Sequence, residues 1–455
     1  MKVFEAFSSF FGRVLLSFGE HTPTLNGIET VGFYLTAAIG TLFTLCYAYQ
    51  FFYLFLACII PPKKYPDAPA NKRYAVVIAA RNEARVLPHL LDSIKAQDYP
   101  SGLVDIFVVA DNCTDETAAV ARDAGVTVFE RHNEKQVGKG YALAFLFDRI
   151  GQTQGLDAFD GYLFFDADNV LRPDFIKEIS KAHAAGHRVV TSYRNSKNYG
   201  KTWISAGYSL WFLRESRHLQ NPRTILSCSA AISGTGFLVD RTIIERGGGW
   251  KHFLLTEDIE FTADCILHGD RVAYCHAAEL FDEQPETLAQ SWRQRKRWAK
   301  GMFQVIRYYG KGLLKGALRL RWSSFDMLMN ITPAFVLSSV QLIATVFLFL
   351  LNWAVNGVVS LVLLQCLADF FAFGYGIFFV LGLFALVSEW RRIHCPKPRA
   401  ICLLFTFPIF MLTYIPISLC AFFSRRVEWK PIEHKHALTT ADIDSAGVSR
   451  KNKTS

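Results

Sequence analysis

A chain of 455 residues, 51% hydrophobic and 14% aromatic, has room for a catalytic domain of ordinary size plus several membrane helices, and this composition argues against two soluble domains. The net charge of +9 does not point to nucleic acid, because the basic residues gather beside apolar stretches rather than on one patch. The ten cysteines show no CxxC pair and no zinc-ligand spacing, so reduced thiols in cytosolic and membrane cores are the simplest reading.

In chain order, residues 1–25 carry Phe4, Phe7, Phe10, Phe11, Leu15, Leu16 and Phe18 among few charges. The stretch is too short to span a bilayer and predicts an amphipathic surface helix. Residues 31–60 contain no charged residue and predict a retained transmembrane helix. Lys63, Lys64, Lys72 and Arg73 follow it, which by the positive-inside rule puts the next domain in the cytosol. Pro61, Pro62, Pro66 and Pro69 make a stiff connector.

Residues 71–298 read as a soluble α/β domain. Tyr74 to Ala80 is a β-branched apolar run ending in Arg81-Asn82-Glu83, followed by a helical pattern through Leu87, Leu90, Leu91 and Ile94. Val104 to Ala110 repeats the design and ends at Asp111. Val126 to Phe129, a helix from about Tyr141, and Tyr162 to Phe165 ending at Asp166 continue the alternation. Strands alternating with helices predict a mainly parallel sheet flanked by helices, with ligands at the carboxyl ends of the strands.

The polar groups at those ends suggest chemistry. Asp166-Ala167-Asp168 puts two carboxylates at a strand end, where one reaches a hard divalent cation, Mg or Mn, that also takes phosphate oxygens. A polar turn or a helix cap would use the same triplet. Asp111 has the same placement and suits either a nucleotide contact or a cap for the next helix. Thr256-Glu257-Asp258 precedes a helical pattern, so it reads both as a favourably charged helix start and as a carboxylate held to take a proton from a hydroxyl. Gln294-Arg295-Lys296-Arg297-Trp298 offers guanidinium groups for phosphate and an indole face for a sugar ring, and also begins a basic amphipathic helix.

Residues 299–325 predict a basic interfacial helix region, with Lys300, Arg307, Lys311, Lys315, Arg319 and Arg321 and no acidic residue between them. Residues 326–423 read as transmembrane or re-entrant helices. The run 400–423 holds Pro408 and Pro416 and has basic flanks on both sides, which favours a segment dipping into the interface over a simple crossing. Residues 424–455 form a C-terminal tail.

The array Asp111, Asp166-Ala167-Asp168, Thr256-Glu257-Asp258 and Gln294-x-x-Arg297-Trp298, bordered by membrane helices, resembles the processive family 2 glycosyltransferases. These include the cellulose, hyaluronan, chitin and poly-N-acetylglucosamine synthases. The resemblance covers roughly residues 70–310. It implies a GT-A fold, a UDP-sugar donor, a growing polysaccharide acceptor, inversion at the anomeric carbon, a multi-pass plasma-membrane protein, and accessory export proteins as partners. By the same carry-over Asp258 is the general base, Asp111 and Asp166 contact the uridine part, and Asp168 ligates the metal with Asp166 beside it. Arg295 and Arg297 hold the diphosphate, while Ala80, Arg81, Glu83 and Lys139 belong to donor-pocket segments. Gly234, Thr235, Gln294 and Trp298 face the acceptor. The gating sequences of related synthases are absent, and Trp429 to His434 is the segment that would stand in for them. The alternative is a nonprocessive enzyme acting on a polyprenyl-phosphate or lipid acceptor.

Overall fold

The computed structural model describes residues 26–424 and 438–447. The expected surface helix in residues 1–25 and the segment Trp429 to His434 lie outside the described residues. The chain divides into two compact units.

The larger unit spans residues 46–335 and those from 374 onward. Its centre is an eight-stranded sheet among the described residues. In chain order the first half runs β1 (Tyr74–Ala80), α1 (Leu87–Lys95), β2 (Val104–Asp111), α2 (Thr117–Asp123), β3 (Thr127–Arg131), α3 (Lys139–Thr153) and β4 (Gly161–Asp166). Then come β5 (Val170–Leu171), α4 (Phe175–Ala184), β6 (Val189–Ser196), α5 (Trp203–Arg214), β7 (Phe237–Asp240), α6 (Glu257–His268), β8 (Val272–Asp282) and the 31-residue helix α7 (Leu288–Leu318).

Strand order is β3-β2-β1-β4-β7-β6-β8-β5. The first four strands are parallel, as the alternating pattern predicts. The sheet as a whole is mixed, because β7 runs antiparallel between β4 and β6 and β5 antiparallel to β8. The central strands are apolar on both faces because both are covered. Val77, Phe107, Val109 and Phe164 pack on one side with α3, and Val76, Ile78, Val108, Leu163 and Phe165 on the other with α1 and α4. Register aligns the strand ends that matter: Ala80 lies opposite Ala110, and Ala79 opposite Asp166. Arg81, Asp111 and Asp166 therefore emerge together at one edge.

Three helices among the described residues are long and apolar enough to cross a membrane: Gly27–Ile59, Trp322–Asn356 and Leu361–Ser388. A further pair, Lys397–Leu404 and Phe407–Phe423, bends by 44° at a short break and counts as a fourth span or a re-entrant segment. The smaller unit, residues 26–45 and 336–373 among those described, is tied internally by polar bonds between apolar helices: Asn26 Nδ2 donates to Asn352 Oδ1 (2.8 Å), and Gln341 Nε2 to Thr36 Oγ1 (2.8 Å).

Candidate active site

The expected donor side begins at the ends of β1 and β2. Asn82 and Asn112, one or two residues past those ends, both adopt left-handed backbone (φ 57° and 51°), which asparagine tolerates better than most residues. Asn82 accepts from the Thr114 backbone N–H (2.8 Å), and the Glu83 N–H donates to Thr117 Oγ1 (2.8 Å), so the two strand ends are stitched together. Asp111 is buried and paired with Arg131 at the end of β3. That pairing fixes its carboxylate at the rim of the cleft.

Asp166 and Asp168 sit on a turn built by two other residues. The Asp166 N–H donates to Thr235 Oγ1 (2.9 Å) and Asn169 Oδ1 (3.1 Å), and Thr235 donates to Asn169. The hydroxyl of Thr235 is therefore spent inside the protein, and the side chain is buried. This differs from the expectation that Thr235 faces the acceptor: it holds the aspartate turn instead. Its neighbours explain the geometry. Gly236 has φ +66°, and a Cβ there would meet Leu280 Cδ2 at 1.9 Å, while Gly234 has φ +82°.

Lys139 is the hub. Its ammonium donates to Asp166 and to the Gly234 carbonyl (2.8 Å) and stands 3.9 Å from Glu257 Oε1. The two glycines around it make this possible: Gly138 has φ +139°, and a Cβ at Gly140 would lie 2.1 Å from the His252 carbonyl. Asp258 Oδ2 lies 3.8 Å from the point a Gly234 Cβ would occupy. Burial pushes the carboxyls of both Glu257 and Asp258 up, and the Lys139 ammonium pulls both back.

Helix α7 supplies the opposite wall. Gln294, Arg297, Trp298 and Gly301 share one face at i, i+3, i+4 and i+7, and Gly301 lets α7 touch the start of α6: a Cβ there would lie 2.6 Å from Thr256 Oγ1 and 2.9 Å from its backbone N. Arg297 acts electrostatically on Glu257, while Gln294 Oε1 and Arg297 Nε are buried polar atoms without hydrogen-bond partners. Such atoms are costly unless a ligand meets them. The Trp298 ring meets Tyr208 and Phe212 edge-on, at 5.7 and 6.4 Å between centroids.

Arg295 does not join them. One residue turns a helix by about 100°, so it falls on the stripe Ser291, Arg295, Ala299, all fully buried. Its guanidinium donates to the Phe410 carbonyl (2.9 Å) and lies against the rings of Phe410 and Tyr414, at 4.2 and 4.9 Å. Of the two arginines expected at a diphosphate, only Arg297 shares the face of Gln294 and Trp298, and Arg295 fastens α7 to the C-terminal helices.

Arg194, near the end of β6, was not singled out by sequence. It donates to Asp282 through Nε (2.7 Å) and to the Ser233 carbonyl (2.7 Å), and lies 3.8 Å from the centre of the Phe212 ring. The rule that found Asp111 and Asp166, a polar residue closing a buried strand, fits Asp282, the last residue of β8, whereas Arg194 lies two residues inside the end of β6.

For a divalent cation, the available donors are Asp168 and Asp166. Asp168 is buried and accepts from the Glu283 backbone N–H (3.0 Å) and the Asn169 amide (3.3 Å). No group of three His, Cys, Asp or Glu side chains among the described residues could hold a metal on its own. The donor set suits a hard cation that completes its shell with water and substrate phosphate, the usual habit of Mg²⁺.

A mixed sheet flanked by helices, with carboxylates at the ends of parallel strands and a basic helix across the cleft, is a GT-A-like fold. Residues 69–301 match the family described as Glycosyltransferase like family 2, and the chain belongs to that family. It is 26% identical over 275 residues to a β-monoglucosyldiacylglycerol synthase of Nostoc sp. (strain PCC 7120), a match covering 58% of this chain and 56% of the relative. It is 23% identical over 265 residues to a poly-β-1,6-N-acetyl-D-glucosamine synthase of Staphylococcus epidermidis, covering 57% and 62%. The chain thus matches less than two thirds of these relatives. Among solved structures, a mannosyltransferase from Pyrobaculum calidifontis in complex with GDP-Man and Mn²⁺ aligns with a TM-score of 0.56 at 17% identity, over 88% of this chain and 100% of that one. That likeness concerns the fold.

Proposed function

We propose that the protein is an inverting, UDP-sugar-dependent glycosyltransferase that extends a β-linked polysaccharide at the cytosolic face of a membrane. The observation that carries this reading is the convergence of Lys139 on Asp166, the Gly234 carbonyl and Glu257, with Asp258 beside Gly234. In this reading the groups assigned to donor and acceptor lie side by side.

In the proposed reaction an acceptor hydroxyl attacks the anomeric carbon of the donor while Asp258 takes the hydroxyl proton. The bond to UDP breaks, and the nucleotide leaves with the electron pair. Arg297 and Lys139 offset negative charge near the leaving diphosphate, a preorganised electrostatic effect. Asp111 and Asp166 contact the uridine part, with Ala80, Arg81 and Glu83 lining the same rim. Gln294, Gly234 and Trp298 hold the acceptor ring in register. A divalent cation on Asp168, with Asp166 beside it, would neutralise diphosphate charge.

A second reading is favoured by the diacylglycerol glucosyltransferase among the relatives: a single sugar passed to a lipid hydroxyl. Full-length protein in nanodiscs, given a panel of UDP-sugars with Mn²⁺ or Mg²⁺, separates the two by product size. A ladder of lengthening, hydrolase-sensitive products supports polymerisation. A single-sugar lipid as the sole product sinks it.

A further inference from the structure

Lys197 follows the last residue of β6, and its backbone is fixed against the end of β8. Ser196 lies opposite Asp282, and the Lys197 N–H donates to the Asp282 carbonyl (2.8 Å). Asn198 then clamps Gln284, donating to its carbonyl (2.8 Å) and accepting from its N–H (3.0 Å). Between Asp282 and Gln284 stands Glu283, whose N–H donates to Asp168 Oδ2 (3.0 Å). The end of β6 is thereby brought to the turn that carries the aspartates. Lys197 is 5% exposed, and its ammonium makes no hydrogen bond among the described residues. Burial disfavours that charge, and the carboxylates that offset the penalty are those of Asp168 first, then Glu283, Asp282 and Glu83.

We propose that Lys197 is a donor-binding residue whose ammonium donates to a phosphate oxygen of the nucleotide diphosphate beside Asp168. The inference rests on the glycosyltransferase reading above. A lysine kept only to balance carboxylates would close on one of them, as Lys139 does on Asp166 and Arg194 on Asp282. Lys197 stands in the field of four carboxylates without a hydrogen bond to any, so its three N–H donors are buried and unmet. A buried charge in that condition is costly unless a ligand meets it. Phosphate oxygens suit it, because a charged donor on a charged acceptor makes the stronger hydrogen bond. The carboxylates nearby would otherwise repel a diphosphate. Arg194 already answers Asp282, and a divalent cation on Asp168 would answer that carboxylate, leaving the Lys197 charge available to phosphate.

The test is equilibrium binding of uridine, UDP, UDP-sugars and undecaprenyl phosphate to full-length protein in nanodiscs with Mn²⁺, for the wild type, Lys197→Met and Lys197→Gln. The affinity ratio of UDP over uridine should fall about tenfold or more in both variants, the scale of a hydrogen bond to a charged group, while uridine binds as it does to the wild type. An unchanged ratio overturns the assignment. If Mn²⁺ alone then binds the variants more tightly, Lys197 is a counter-charge for Asp168 and no ligand to phosphate. A loss seen only with UDP-sugars would put the ammonium on the sugar, and one seen only with undecaprenyl phosphate would put it on a lipid phosphate; either result overturns the assignment too. Uridine binding lost in both variants would identify a structural lysine, with the same consequence. Wild-type protein that binds no UDP in Mn²⁺ would instead refute the glycosyltransferase reading itself, and the inference with it.

Discussion

Asp258 and Glu257 are adjacent carboxyls in one poorly solvated corner, and their relation to Lys139 makes a residue-scale prediction with a definite sign. Burial raises both, and the ammonium lowers both. A general base works only when ionised, so kcat/KM should fall on the acid side through a value above the ordinary aspartate range of about 4. Removing the ammonium with Lys139→Met takes away the positive charge that favours the ionised form, so the acid limb should move to higher pH while the rate falls. A limb that stays in place, measured in a wide-range buffer series, would dissociate Lys139 from the base. Asp258→Asn keeps the shape and removes the base. It should cost about 10²- to 10⁴-fold in transfer while UDP still binds, and persistence of transfer at the wild-type rate would remove Asp258 from the mechanism.

Among the elements, the parallel half of the sheet was legible because β1 and β4, and β2 from Phe107 onward, are buried on both faces and read as apolar runs closed by a charged residue. The antiparallel strand β7 was not, because Phe237–Asp240 is four residues long and follows a glycine-rich loop that reads as a site motif. Arg295 was misread for a related reason: five consecutive residues look like one cluster in sequence, whereas a helix distributes them around its circumference. The glycines were visible, but their reason was tertiary. Gly301 shows it most directly, since Thr256 fills the space its side chain would need. Gly301→Ala should push α7 off the start of α6, destabilising the unit by about 1–3 kcal/mol and lowering transfer by about 10²-fold through misplacement of Asp258 against Trp298. Chemical denaturation and steady-state kinetics read the two effects separately. A fully active, equally stable variant would mean that the two helices adjust without disturbing the base.

At the scale of the whole molecule, α7 joins the cleft to what resembles a membrane-surface element. Its inner face, with Val305, Leu313 and Gly316, packs against α6 and the helix Trp322–Ile331. Its outer face exposes Arg307, Lys311, Leu314, Lys315 and Leu318, with Arg319 just past its end. Lys300, which the basic run also contains, turns inward and donates to the Ser424 carbonyl (2.7 Å), so the exposed charge starts at Arg307. A stripe of cations beside leucines suits an anionic bilayer surface, where each contributes about 1 kcal/mol within a Debye length of about 8 Å at physiological salt. Ten residues of helix separate Arg297 from Arg307, about 15 Å of rigid rod, so docking one end fixes the angle at which the other meets the donor. Transfer should therefore be faster in nanodiscs containing phosphatidylglycerol than in phosphatidylcholine alone, and 0.5 M salt should erase the difference. Replacing Arg307, Lys311, Lys315 and Arg319 together by glutamine should erase it too, with UDP affinity as the control for an intact cleft. If that variant keeps the wild-type preference for anionic lipid, the exposed face is a solvated surface, and the orientation of the catalytic unit is set by the apolar helices instead.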